Sequence, residues 1–185
     1  MPGRQPSGDI FNGGAAMNTR SDFPLDGVRV LLVEDYAVVR EVIGRLLVGF
    51  GARVTAVAGV PEALEALPLA RPNVLVSDID MPGEDGYALI RKIRALPTER
   101  GGQTPAVGLT GWSIAEDEAH VLRAGFQYCL AKPVDARRLV TVVAGLAALA
   151  ARRSTGAALV SRAWTALGGF RGAGEGARQQ REDTT

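Results

Sequence analysis

The amino-acid sequence predicts an α/β domain in which five parallel strands form one doubly wound sheet with helices on both faces. Short apolar segments alternate five times with longer segments whose apolar residues follow helical spacing, starting at Val28. Such alternation needs crossover connections, which make the sheet parallel and cover both of its faces. In addition, every strand except the second runs into polar residues, and ligands bind at the carboxyl ends of strands in this architecture.

The elements follow in order up to about Arg153. The predicted strands are VRVLLV, ARVTAVA, NVLVSD, PAVGLT and YCLAK, and the predicted helices span 37–48, 61–67, 87–96, 114–123 and 135 to about 153. In the first helix one face carries six apolar residues, namely Val38, Val39, Val42, Ile43, Leu46 and Leu47. This pattern is typical of a helix with one side on a core.

Three regions differ in composition. Residues 1–26 are rich in Gly, Pro, Ser and Asn and are predicted to be a disordered leader, within which Met17 could be the true start. Residues 27–152 form the predicted domain. The tail, 153–185, is predicted to hold a short amphipathic helix and then disorder; its apolar face comprises Leu159, Val160, Ala163, Trp164 and Leu167. We expect this helix to pack on its own domain or, alternatively, to bind a partner.

Charge and cysteine content exclude several classes of protein. The 21 basic and 20 acidic residues nearly balance, so composition predicts no general affinity for nucleic acid. Cys129 is the sole cysteine, which rules out an intramolecular disulfide. The start lacks the apolar core of a signal peptide, and no long uncharged apolar run follows. These features predict a cytoplasmic protein.

The polar residues at the strand ends are expected to meet at one edge of the sheet. Glu34 and Asp35 follow the first strand, Asp78 ends the third, Thr110 ends the fourth and Lys132 ends the fifth. Three crowded carboxylates favour a divalent cation, and oxygen ligands suit Mg²⁺. A carboxylate can attack phosphorus while a metal, a lysine and a hydroxyl stabilise the transferred group. We therefore assign Asp78 as nucleophile, Lys132 as counter-charge and Thr110 as hydrogen-bond donor.

The same motifs resemble the receiver domain of two-component response regulators. They are LLVEDY, SDIDMPGEDG, GLTG and LAKPVD, and they occur in the family's order between Val28 and about Ala150. The resemblance implies a flavodoxin-like sheet with strand order 2-1-3-4-5. It also implies that Asp78 is the phosphoacceptor and that Mg²⁺ is held by Glu34, Asp35, Asp78 and the backbone carbonyl of Asp80.

The function implied by this resemblance is a bacterial, phosphorylation-dependent signalling switch. A histidine kinase or a histidine phosphotransfer protein would phosphorylate Asp78, and the segment AGFQYCLAKPVD further resembles receivers attached to hybrid sensor kinases. We expect no conventional enzyme activity, only Mg²⁺-dependent self-phosphorylation from phosphodonors and slow autodephosphorylation. The 35 residues after Ala150 are few for a DNA-binding output domain. The chain is therefore expected to be a single-domain regulator that acts through protein partners and does not contact nucleic acid directly.

Two alternatives stay open. A receiver fold can serve as a phosphorylation-independent adaptor. The Asp-x-Asp of SDIDM also opens the motif of haloacid dehalogenase-like phosphohydrolases, although here the acidic pair precedes the nucleophile rather than following the lysine. Taken singly, the acids also suit plain structural roles, since Asp35 could cap the helix from Ala37 and Asp85 the helix from Tyr87.

Some positions differ from the common receiver pattern or are expected to tune it. Receivers usually carry Tyr or Phe three residues before the lysine, where this chain has Cys129, predicted to be a buried filler. Tyr128 cannot replace that ring, because neighbouring strand residues point to opposite faces. We expect Thr110 and the loop with Gly111 and Trp112 to report phosphorylation.

Three further residues complete the expected site. Trp112 is expected to shield the acyl phosphate from water. Asp80 is expected to influence the lifetime of that phosphate through its side chain. Pro133 follows Lys132 and is expected to form a cis peptide bond.

Overall fold

A computed structural model describes residues 23–111 and 114–166. Side chains are described for residues 23–111 and 119–152. The strands are β1 (Arg29–Val33), β2 (Arg53–Val57), β3 (Val74–Asp78), β4 (Ala106–Thr110) and β5 (Tyr128–Ala131). The helices are α1 (Ala37–Gly49), α2 (Val60–Ala70), α3 (Gly86–Arg94), α4 (Ile114–Ala124) and α5 (Ala136–Ala166), and a 3-10 turn spans Thr98–Arg100. In the described residues no helix is both long and apolar enough to cross a membrane.

All five strands are parallel and lie in the order β2-β1-β3-β4-β5. The fold class and the strand order predicted above are therefore confirmed. The register pairs Val33 with Ser77 and Thr110 with Ala131, so the strands end nearly level with one another. This level edge brings the polar residues that follow β1, β3, β4 and β5 to the same end of the sheet.

The core consists of two apolar layers, one on each face of the sheet. The first layer lies between the sheet and helices α1 and α5 and includes Val30, Leu32, Leu47 and Leu139. The second layer lies between the sheet and helices α2, α3 and α4 and includes Leu31, Leu75, Leu89, Ile90 and Val121. Strands β3 and β4 are buried over their whole length, as expected for central strands of a parallel sheet that is covered on both faces.

The structure corrects three details of the prediction. Only Ile43 and Leu47 of the six α1 residues are fully buried, whereas Val38 and Val42 are 58% and 59% exposed. Leu25, which falls within the predicted leader, is buried, and its N–H donates to the Phe50 carbonyl (3.0 Å). Helix α5 continues past Arg153 as one helix to Ala166 and so runs through the segment predicted as a separate short helix.

Arg94, at the end of α3, joins loops that are distant in sequence. Its guanidinium donates to the carbonyls of Gly102 (2.9 Å), Thr104 (2.9 Å) and Gly125 (2.8 and 3.0 Å). Burial lowers the pKa of Arg94. The side chain of Gln127 extends this network, since its oxygen accepts from the Ala106 N–H at the start of β4 (2.7 Å). Arg94 thus fixes how the segments leading into β4 and β5 enter the sheet.

We expect Arg94→Ala to lower the free energy of unfolding by about 2–3 kcal/mol, because several partly buried carbonyls lose a charged donor together. Urea unfolding followed by far-UV circular dichroism measures this change. Arg91→Ala is the matched control, since Arg91 is exposed on the same helix. Equal losses in the two variants would show that the network contributes nothing specific.

Candidate functional site

The acidic residues lie together because β1 and β3 are neighbours in the sheet. Glu34 and Asp35 follow β1, and Asp78 is the last residue of β3. Glu34 is 1% exposed and Asp78 is 3% exposed, whereas Asp35 is accessible to solvent. Two carboxylates buried side by side repel each other and lose hydration, so this arrangement requires a compensating positive charge.

Lys132 supplies that charge from the far edge of the sheet. It follows β5 and extends across the end of β4, where its ammonium group contacts Glu34 Oε2 and Asp78 Oδ2, each at 2.8 Å. Its backbone N–H donates to the Thr110 carbonyl (2.7 Å), which holds the start of the loop against β4. The Lys132–Pro133 peptide bond is cis, as the sequence predicts.

The pKa values of the pair reflect this burial. Burial raises the pKa of Glu34, and the hydrogen bond from Lys132 offsets part of that rise. For Lys132, burial acts to lower the pKa, but the hydrogen bonds and charges of Asp78 and Glu34 outweigh it, so the pKa is raised. Lys132 is therefore held as a cation between the two carboxylates.

The three carboxylates form a group that fits a divalent cation. One oxygen from each of Glu34, Asp35 and Asp78 lies within 4.8 Å of the others, so a single hydrated cation can be shared among them. Both Glu34 and Asp78 already bond Lys132, and Glu34 also accepts from the Tyr36 N–H. Asp35 has no side-chain hydrogen bond within the described residues, which leaves it the most available ligand.

The loops after β3 and β4 are tied together beside Asp78. The Asp80 N–H donates to Asp78 Oδ1 (3.2 Å), while Asp80 Oδ2 accepts from the Gly111 N–H (3.2 Å). Thr110, the last residue of β4, is buried directly before Gly111. The side chain of Asp80 therefore connects the loop after Asp78 to the loop that begins at Gly111, and the metal contact through its backbone carbonyl stays a prediction.

The Met-Pro-Gly-Glu-Asp-Gly loop returns closely onto the end of β3. At Gly86 a Cβ would lie 2.5 Å from the Asp78 carbonyl oxygen, so only glycine fits this approach. Asp85 caps α3 by accepting from the Ala88 N–H (2.6 Å), which confirms the predicted cap. The start of α3 thus holds the backbone of Asp78 in place.

Asp35 does not cap helix α1. The N-cap position of α1 is occupied by Tyr36, and no side chain caps this helix. The plain explanation proposed for Asp35 is therefore wrong, and its carboxylate stays at the edge of the site.

Arg40 is a residue of this site that the sequence analysis did not identify. From the first turn of α1 its Nη1 donates to the backbone carbonyls of Glu34 (2.7 Å) and Asp35 (3.0 Å). It therefore sets the backbone that carries both acids. Its position about one helical turn after the acidic pair is the only feature of the sequence that points to this role. Because Arg40 bonds backbone carbonyls, no particular residue type is required as its partner, and no motif results.

The β5 prediction is confirmed in its burial pattern. Cys129 is 3% exposed and packs in the layer beneath α4, while Tyr128 is 38% exposed on the other face. The ring expected at this place in the family is therefore absent from the buried side. Trp112, expected to shield the phosphoryl group, lies outside the described residues.

Comparison with known families agrees with this geometry. The model of the response regulator receiver domain matches residues 30–144, more than half of the chain. An uncharacterised 14.6 kDa protein of Leptolyngbya boryana, from the sodA1 3' region, is 40% identical over 114 residues, which cover 62% of this chain and 86% of that protein. The sensor protein GacS of Pseudomonas syringae pv. syringae is 34% identical over 125 residues, 67% of this chain but 14% of that sensor.

Solved structures show the same fold. The receiver domain of the sensor histidine kinase PA1611 of Pseudomonas aeruginosa, solved with magnesium in its active-site cleft, is 34% identical with a TM-score of 0.60, covering 66% of this chain and 98% of that domain. A response regulator of Chloroflexus aurantiacus is 32% identical with a TM-score of 0.59, covering 65% and 98% of the two chains.

The two lysines of the chain allow a direct test of the shared ion pair. We expect Lys132→Met to lower the free energy of unfolding in EDTA by about 2–3 kcal/mol, because it leaves Glu34 and Asp78 buried without a counter-charge. Chemical denaturation measures the loss. Added MgCl₂ should stabilise the variant more than the parent, since a cation then relieves a stronger repulsion.

Lys92→Met is the control, because Lys92 pairs with Glu84 where both side chains are nearly half exposed. Its loss should be below about 0.5 kcal/mol. Similar losses in both variants would contradict the role given to Lys132.

Proposed function

This chain belongs to the receiver-domain family of two-component response regulators, which are signalling switches rather than turnover enzymes, and we propose that a phosphoryl group on Asp78 switches it. The observation that carries the proposal is the contact of Lys132 with Asp78 and Glu34, beside the solvent-accessible Asp35. The site thus has a nucleophile, a fixed cation and room for a metal. The predicted cytoplasmic location and bacterial origin belong to the same proposal.

In the proposed reaction an oxygen of Asp78 attacks the phosphorus of a phosphohistidine. The phosphorus–nitrogen bond breaks, its electron pair stays on the imidazole nitrogen, and an acyl phosphate forms. Lys132 and Thr110 stabilise the negative charge on the transferred oxygens. Mg²⁺, held by Glu34, Asp35, Asp78 and the Asp80 carbonyl, would neutralise charge on the phosphoryl group when bound. Hydrolysis by water would return the free carboxylate and end the signal.

The charges suggest how phosphorylation is reported. Once Asp78 has become an acyl phosphate, its carboxylate charge is lost, so Lys132 keeps its contact with Glu34 and can turn its other contact to the phosphoryl oxygens. The new charge also lies near Asp80, whose carboxylate bonds the Gly111 N–H. We propose that repulsion breaks this bond and that Thr110 and the loop from Gly111 rearrange. At its own position in β5, Cys129 provides no ring that could rotate.

A protein donor is favoured by the surface beside the site. Val38 and Val42, one turn apart on α1, and Tyr36, at the N-cap position before this helix, are exposed; these three residues, hereafter the α1 patch, follow Asp35 in the sequence. An exposed apolar patch next to reactive groups is typical of a docking surface. We propose that the helices of a histidine kinase or phosphotransfer protein contact the α1 patch during transfer. The chain spans 14% of the GacS length, so we do not assign to it any activity of the rest of that sensor.

Asp78→Asn should abolish phosphorylation by acetyl phosphate in Mg²⁺ while the protein stays folded, because the amide removes the nucleophile and relieves carboxylate repulsion. Intact-mass spectrometry detects the phosphoryl adduct, and thermal melting checks the fold. The matched control is Asp85→Asn in the same loop, where Asn also caps a helix, and which should label normally. An adduct that persists in Asp78→Asn would refute this assignment.

Val42→Glu should slow transfer from a phosphorylated histidine phosphotransfer protein by about fivefold or more, because a charge is introduced into the apolar contact. Labelling by acetyl phosphate should stay at the parental rate. Leu69→Glu controls for added charge, since Leu69 is 85% exposed on α2, away from the α1 patch. Equal transfer rates for both variants would place the donor on another surface.

A further inference from the structure

The amino-terminal edge of the sheet, opposite the acidic site, contains two adjoining clefts. They have volumes of about 510 and 410 Å³ and share Pro72, Thr98, Gly101 and Thr104. Sites for small molecules usually have volumes of roughly 300–1,000 Å³. The shared residues make the two clefts one continuous concavity, hereafter the lower cleft.

Arginines line this cleft with little opposing charge. Arg29 lines the first part, while Arg71 and Arg100 line the second together with one acid, Glu99. Within the described residues no carboxylate forms an ion pair with any of the three arginines. Clefts lined by one sign of charge concentrate the field and attract counter-ions.

The backbone of Arg71 gives a second, independent observation. Arg71 follows α2 in the left-handed region (φ 44°, ψ 59°) and is the one non-glycine residue with positive φ in the described chain. Glycine is the usual residue at this position, because a Cβ makes it unfavourable. Strain of this kind persists where the surrounding structure holds it, and it is concentrated at functional and ligand sites.

Arg71 also orients Arg29. The Arg71 carbonyl accepts a hydrogen bond from Arg29 Nε (2.8 Å), and the Arg29 N–H donates to Asn73 Oδ1 (2.9 Å). The terminal nitrogens of Arg29 have no protein partner in the described part of the chain. A guanidinium fixed through Nε presents these nitrogens as a fork suited to phosphate oxygens.

Beside the arginines and Glu99, the wall of the lower cleft includes apolar residues, among them Leu67, Pro68, Pro105 and Ala150, and the uncharged polar residues Asn73, Thr98, Gln103 and Thr104. An apolar wall beside a few fixed polar groups suits a small molecule with an anionic end. Three arginines in a concave cleft are too few for the extended phosphate tracking of nucleic-acid proteins.

From these contacts we propose that the lower cleft binds a small phosphate-bearing molecule of nucleotide size, with Arg29, Arg71 and Arg100 on the phosphate. The site is separate from Asp78, since it lies at the other end of the strands. It gives the domain a second anionic input that does not require phosphorylation.

ADP is the probe, titrated into the full chain by isothermal calorimetry in EDTA, so that the acidic site has no cation to hold phosphate. We expect saturable binding that Asp78→Asn leaves unchanged. Arg71→Gly and Arg100→Gln should each weaken it about tenfold, as expected for a lost charge-assisted hydrogen bond. Arg71→Gly should also melt at the same or a higher temperature, because the strain is removed while the carbonyl that holds Arg29 is kept.

Arg53→Gln is the control for general charge, since Arg53 starts β2 at the same edge but does not line the cleft. No saturable binding, equal weakening in Arg53→Gln, or loss of binding in Asp78→Asn would each overturn the proposal. Sedimentation with phosphatidylinositol vesicles separates a lipid headgroup from a free ligand. Cosedimentation that ADP does not displace would overturn the assignment to a soluble molecule.

Discussion

Lys132 crosses the end of β4 to contact Glu34 and Asp78, and this one ammonium group allows two carboxylates to be buried side by side. Burying an ion pair is weakly favourable at best, because both partners lose hydration. The arrangement therefore costs the domain stability that apolar residues could have supplied. It is retained where a charged nucleophile must be kept ready, as in the switch proposed above.

The rest of the fold serves to hold that contact. The order of the strands sets the acids on adjacent strands and the lysine on an edge strand with β4 between them. Gly86 lets α3 begin directly against the Asp78 carbonyl, and Arg40 fixes the carbonyls of Glu34 and Asp35 from the other side. The backbone of Lys132 is held in turn by its N–H bond to the Thr110 carbonyl, so each charged group has its own backbone restraint.

Much of the site was accessible from the sequence because parallel strands end at one edge. Five parallel strands predict that Glu34, Asp35, Asp78 and Lys132 lie at the same edge, and the strand order implied by the family resemblance puts them close together. The helix contacts were less accessible. Spacing placed Val38 and Val42 with Ile43 on one face of α1, but only the part of that face above the sheet is buried. Arg94 and Arg40 bond backbone carbonyls. Because every residue has the same carbonyl group, no pattern of side chains in the sequence predicts such contacts.

The small number of lysines in the chain has a practical meaning for spectroscopy. With Lys92 and Lys132 as the chain's two lysines, selective isotopic labelling of this residue type gives two side-chain ammonium groups. Lys92 is 46% exposed beside Glu84, while Lys132 is 26% exposed between two buried carboxylates, which slows proton exchange with solvent. The two resonances would be distinguished by that exchange alone. The protein therefore carries a spectroscopic reporter at the buried acidic site and a reference for it at the surface.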